Sequence, residues 1–169
     1  MVNSTVDDMK IIILNGPMGV GKTTIGTHIA DKYPGTAFID GDWCMDIHPF
    51  VGNSETKAMA VDNILHMVKN FNKSSYCDMV VISWLMDDSG VFASLIKGLA
   101  EMDADITSVT LMCSEEQLRK QWNDDKTCPW RTDEWLNVSI KSLKCFEQFE
   151  NCIDTTGLSV EEVVERIMS

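Results

Sequence analysis

The chain has 169 residues, 44% of them hydrophobic and 24% charged. These are values for one ordinary globular domain, and they argue against disorder, a fibrous repeat or a disulfide-dense miniprotein. No uninterrupted apolar run approaches the ~20 residues of a membrane helix. Fourteen Lys+Arg against 26 Asp+Glu give a net charge of -12, which repels a phosphate backbone or an anionic bilayer, so nucleic acid and membrane are not expected partners.

In chain order, Lys10 to Asn15 (KIIILN) is a β-branched run closed by Gly16-Pro17. It reads as a buried parallel strand. Lys22 to Lys32 reads as a helix with Ile25 and Ile29 one turn apart, stopped by Pro34-Gly35, and Thr36 to Asp40 as a second strand closed by Gly41. After an irregular, aromatic and acidic stretch, Ser54 is expected to cap a helix to about Phe71, with Ala58, Val61, Leu65 and Val68 on its apolar face. Asp78 to Trp84 is a third strand, and Ser89 opens a helix carrying Phe92, Leu95 and Leu99. Ser108 to Cys113 is a fourth strand, followed by the capping-box sequence Ser114-Glu115-Glu116-Gln117 and a helix with Leu118 and Trp122. Asn123 to Thr132 is a polar break containing Cys128-Pro129. Asp133 is expected to cap a helix with Leu136, Ile140 and Leu143. Cys152 to Thr155 is a short fifth strand, and Ser159 to Met168 a final helix. Strands alternating with helices predict an α/β domain over residues 1–169: a three-layer α/β/α sandwich around a five-stranded parallel sheet.

The six cysteines (Cys44, Cys77, Cys113, Cys128, Cys145, Cys152) form no C-x-x-C pair and no zinc spacing. Met1 to Lys10 is polar and acidic, unlike a secretory leader. Reduced thiols and a cytoplasmic location are therefore expected.

The sharpest chemical signal is Gly16-Pro17-Met18-Gly19-Val20-Gly21-Lys22-Thr23, which fits G-x-x-x-x-G-K-[ST] and continues into Thr24. Small residues let successive backbone N–H groups curl around a phosphate, and the following helix turns its N-terminal dipole to the same anion. Lys22 reaches β/γ oxygens, and the Thr23 hydroxyl is a Mg²⁺ ligand. Asp40-Gly41-Asp42 ends the second strand, where open α/β sheets bind ligands. One carboxylate there is placed to hold metal, and the other to orient and deprotonate an acceptor hydroxyl.

The loop GPMGVGKTT, the strand-end DGDW and the single-domain plan resemble the small P-loop kinases of the adenylate, shikimate and gluconate kinase superfamily. In shikimate- and gluconate-type kinases the corresponding D-x-D serves metal and acceptor, which implies those roles for Asp40 and Asp42. The resemblance also implies a short lid over about residues 120–134 and an acceptor segment over about 41–75. MgATP is the implied donor. The chain departs from many P-loop enzymes in having Ser83-Trp84, not Asp, at the end of its third strand.

Only three arginines occur: Arg119, Arg131 and Arg166. Arg119, on the helix after the fourth strand, and Arg131, in the polar break that resembles the lid, are the candidates to neutralise a transferring phosphoryl group. Segment 41–75 contains none, and anionic acceptors are usually clamped by bidentate arginine. An acceptor without a strong anionic group is expected, such as a nucleoside, neutral sugar or amine-bearing molecule. Trp43 and Trp84 are expected to wall it. The expected activity is transfer of the γ-phosphoryl group of MgATP to a small-molecule hydroxyl, by a monomer or homodimer. The alternatives are a nucleic-acid 5′-hydroxyl kinase and an ATP-binding regulator with incidental hydrolysis.

Overall fold

The computed structural model describes residues 8–128 and 131–169. Pro129 of the polar break, and the residues before Asp8, lie outside them. The described elements are β1 (Met9–Asn15), α1 (Lys22–Lys32), β2 (Thr36–Asp40), a 3₁₀ turn (Trp43–Met45), α2 (Ser54–Phe71), β3 (Met79–Ser83), α3 (Ser89–Leu99), β4 (Ala104–Met112), α4 (Glu115–Asp124), α5 (Asp133–Phe146), β5 (Cys152–Asp154) and α6 (Val160–Met168).

The five strands form one parallel sheet in the order β2-β3-β1-β4-β5. The innermost strand, β1, buries both faces, and its side chains alternate between two cores. Ile11 and Ile13 pack with Ile39, Val80 and Ile82 against Ile64 and Val68 of α2 and Leu95 and Leu99 of α3. Ile12 and Leu14 pack with Val81 and Leu111 against Ile25 and Ile29 of α1, Leu118 of α4 and Val163, Val164 and Ile167 of α6. This is the expected three-layer arrangement.

The structure moves several expected boundaries. β4 begins at Ala104, not Ser108, because Ala104–Thr107 pair with Met9–Ile12 of β1 although only part of that half is apolar. The cap of α2 is Asn53, whose side chain accepts from the Thr56 N–H while Thr56 Oγ1 accepts from the Asn53 N–H. Ser54 is already the first helical residue. Likewise α5 is capped by Thr132, not Asp133. Ala58 is exposed, and the buried stripe of α2 is Thr56, Ala60, Val61, Ile64 and Val68. Ser114 Oγ does cap α4 by accepting from the Gln117 N–H, but its own N–H is taken by Thr156 Oγ1.

Candidate active site

The carboxyl ends of β1, β2 and β3 meet at one edge of the sheet. Register brings Leu14, Ser83 and Asp40 side by side. The glycine loop leaves β1 there and runs into α1, so the expected phosphate cradle (Gly16 to Thr24) and the D-G-D strand end share one surface. Gly19 holds φ 83°, and a Cβ built on it would lie 2.9 Å from the Trp122 ring. Both observations require glycine at that position. Lys22 folds beneath the loop and donates to the carbonyls of Gly16 (2.8 Å) and Pro17 (2.9 Å).

Thr23 Oγ1 donates to Asp40 Oδ2 at 3.1 Å, and Asp40 Oδ1 accepts from the Asp42 N–H at 3.0 Å. Asp40 therefore ties the first turn of α1 to the second acid. A hydroxyl and a carboxylate this close are the hard oxygen donors Mg²⁺ takes, with phosphate and water completing its shell. Among the described residues no cluster of three or more His, Cys, Asp and Glu forms a metal cage.

Burial pushes the Lys22 ammonium down to about 8, partly opposed by Asp42 and Asp40 and reinforced by Arg131. The Asp42 carboxyl is pushed above its ordinary value by desolvation first and by Asp40 second, while Lys22 and a hydrogen bond from Trp84 pull it down. Lysine, both acids and Arg131 thus share one electrostatic environment. Arg131 donates from Nη1 to Asp125 Oδ2 at 2.5 Å and lies over the Trp122 ring, 5.0 Å from its centre. Arg119 has a different setting: on the outer surface of α4 it pairs with Glu115 one turn earlier.

The two expected aromatic walls separate. Trp43 is 75% exposed, together with Ile47, Phe50 and Val51 in the loop after β2. Trp84 is buried in the core beside Gly41 and presents no open ring face. Asp88 is used as the cap of α3. The turn after β5 is tied to the end of β4: Thr155 Oγ1 and the Thr155 N–H both donate to the Met112 carbonyl.

Two residues that sequence reasoning passed over support the loop. Ser139 of α5, 3% exposed, donates to the Met18 carbonyl at 2.6 Å. Its only sequence signal is a hydroxyl on an otherwise apolar stripe. Asn15, fully buried, donates to the Met86 carbonyl (3.1 Å) and accepts from the Met86 N–H (2.9 Å). An amide ending an apolar strand is its signal.

A family model described as AAA domain matches residues 12–139, from β1 into α5. The chain belongs to this AAA domain family. Two curated relatives, the shikimate kinases of Psychrobacter cryohalolentis and Psychrobacter arcticus, are 46% identical over 41 residues. The match spans 24% of this chain and 22% of each relative's length. Among solved structures, the Deinococcus radiodurans tunicamycin resistance protein superposes with a TM-score of 0.68 at 21% identity, covering 94% of this chain and 93% of its own. A gluconokinase from Sinorhizobium meliloti 1021 gives 0.68 at 18% identity over 94% and 89%. The shikimate kinase of Acinetobacter baumannii in complex with shikimate gives 0.62 at 19% identity over 95% and 91%. The AAA domain described here therefore has the fold of the small P-loop kinases. All six of its cysteines are unpaired, and among the described residues no helix is long and apolar enough to cross a membrane.

Proposed function

We propose that this AAA domain is a small-molecule kinase that transfers the γ-phosphoryl group of MgATP to an acceptor hydroxyl. The observation that carries the reading is the line Lys22, Thr23, Asp40, Asp42, in which a phosphate-binding loop and two carboxylates are joined by the Thr23–Asp40–Asp42 hydrogen bonds.

The loop amides of Gly16 to Gly21 and the start of α1 hold the triphosphate, and Lys22 turns from its own loop carbonyls to the β/γ oxygens. Thr23 and Asp40 are the residues that would hold Mg²⁺, which neutralises charge on those oxygens when bound. Asp42 accepts the hydroxyl proton while the acceptor oxygen forms its bond to the γ-phosphorus. The bond from that phosphorus to the bridging oxygen breaks and ADP leaves. The raised basicity of Asp42 suits the role. Arg131 stabilises charge on the transferring group. Arg119, paired with Glu115 away from the loop, is left out of this step.

The acceptor lies toward the loop after β2. That segment holds no arginine, and it exposes Trp43, Ile47 and Phe50. These features favour an acceptor with an apolar or neutral body over a strongly anionic one. The nucleotide, a small acceptor and a cytoplasmic setting belong to this reading.

The test is ADP release coupled to a panel of nucleosides, sugars, sugar acids and aminoglycosides, with Lys22→Ala and Asp42→Asn as controls. Acceptor-dependent release that vanishes in Asp42→Asn while nucleotide binding persists is the expected result. Equal turnover in Asp42→Asn removes its role. Nucleotide binding with no acceptor-dependent release favours a regulator.

A further inference from the structure

Resting on the kinase reading, we propose that Asp125 and Trp122 form a holder that positions Arg131 over the triphosphate loop, making Asp125 a determinant of the preference for a nucleoside triphosphate over the diphosphate.

The holder is built from both sides of the polar break. Trp122, in the last turns of α4, is 6% exposed and its ring lies against Gly19 at the tip of the glycine loop. Arg131, on the far side of the break, lays its guanidinium over that ring. Asp125 closes the third side. Its Oδ1 accepts from the Thr127 N–H (2.8 Å) and from Thr127 Oγ1 (2.5 Å), which leaves Oδ2 directed at Arg131 Nη1. The pair is largely withdrawn from solvent, with side-chain exposures of 17% for Arg131 and 27% for Asp125. Loop, indole, guanidinium and carboxylate therefore form one continuous packed line.

A stacked guanidinium with one nitrogen fixed by a carboxylate is pre-organised, and it loses little freedom when it meets an anion. The indole it stacks on packs against Gly19, in the same glycine loop that ends at Lys22. Lys22 serves the β/γ end of the nucleotide in the proposed mechanism, so the γ-phosphate is the group that adds negative oxygens where this arginine is held. A diphosphate lacks them. Asp125 itself need not touch the nucleotide and acts through Arg131.

The measurement is calorimetric binding of the β,γ-imido analogue of ATP and of ADP, both with Mg²⁺, to the wild-type chain, Asp125→Asn and Asp125→Glu. The ratio of the two affinities is the readout, because a purely structural role would weaken both nucleotides together. The wild type is expected to prefer the triphosphate analogue. Asp125→Asn should lower that preference about tenfold, the loss of one charge-assisted contact. Asp125→Glu, with its carboxylate displaced by a methylene, should lower it by about threefold. Thermal unfolding confirms that each variant is folded, and if Asp125→Asn is not recovered folded the Glu variant decides alone. An unchanged ratio, a raised ratio, or equal weakening of both nucleotides overturns the proposal. Absence of binding by the wild type overturns the kinase reading itself, which is a different result.

Discussion

No Cβ fits between Gly41 and Trp84: built on Gly41, it would lie 2.2 Å from Trp84 Cγ. The Gly41 N–H also donates to the Ser83 carbonyl at 2.8 Å. The middle residue of D-G-D is thus pressed onto the residue that follows β3, between the two acids. Gly41→Ala should cost about 1–3 kcal/mol of stability, as overpacking of a filled site does. Acceptor-dependent turnover should fall further than nucleotide affinity, since Asp42 is displaced while the glycine loop is not. Urea unfolding and calorimetry check both, and unchanged stability would show that the indole gives way freely.

Lys22 sets a pH dependence. Its folded-state pKa is about 8 against an ordinary 10.5. Between those values the unfolded chain holds a proton that the native loop does not, so stability rises with pH across that window. Below about 8 both states carry the proton and this gradient disappears. Relative to Lys22→Met, the wild type should gain about 2–3 kcal/mol by pH 10.5. Paired urea titrations at pH 8 and pH 10.5 measure it, and a flat or falling difference refutes it.

Ser139→Ala removes the hydroxyl that holds the Met18 carbonyl from α5. The expected loss is about 1 kcal/mol of stability. Because the contact is at the loop tip, amide exchange in the glycine loop should quicken and MgATP affinity should drop a few-fold. Protection of the loop amides equal to wild type would contradict this.

Asn15→Leu keeps the approximate volume but strips both partners from the buried Met86 backbone. Leaving two buried polar groups unmet should cost about 2–5 kcal/mol. Since Met86 anchors the loop between β3 and α3, that loop should become the first site cut in limited proteolysis. Wild-type stability in Asn15→Leu would mean that Met86 finds other partners.

Much of this architecture was legible in local pattern. The β1 run, the glycine loop and the first turn of α1 announce themselves because each has a short-range cause: β-branched burial, small residues, a helix N-terminus. What escaped depends on contacts across the fold. The first half of β4 mixes polar and apolar residues, and only pairing with β1 makes it a strand. Trp84 reads as an open wall by composition, yet the packing of Gly41 against it draws it inside. The caps at Asn53 and Thr132 each precede the expected residue by one, because the capping side chain belongs to the residue just outside the helical dihedrals. The tie between Asp125 and Arg131 spans the break after α4, and no helical or strand periodicity could have paired them.

The order of the strands has a consequence for divergence. The glycine loop grows from the sheet's centre line, where both faces are walled in by helices and any change disturbs two cores at once. Asp40 and Asp42 hang from the end of an outermost strand, and the segment beyond them is mostly open to water. On the kinase reading, descendants of such a chain are free to rewrite the margin and adopt new acceptors while the middle stays as it was.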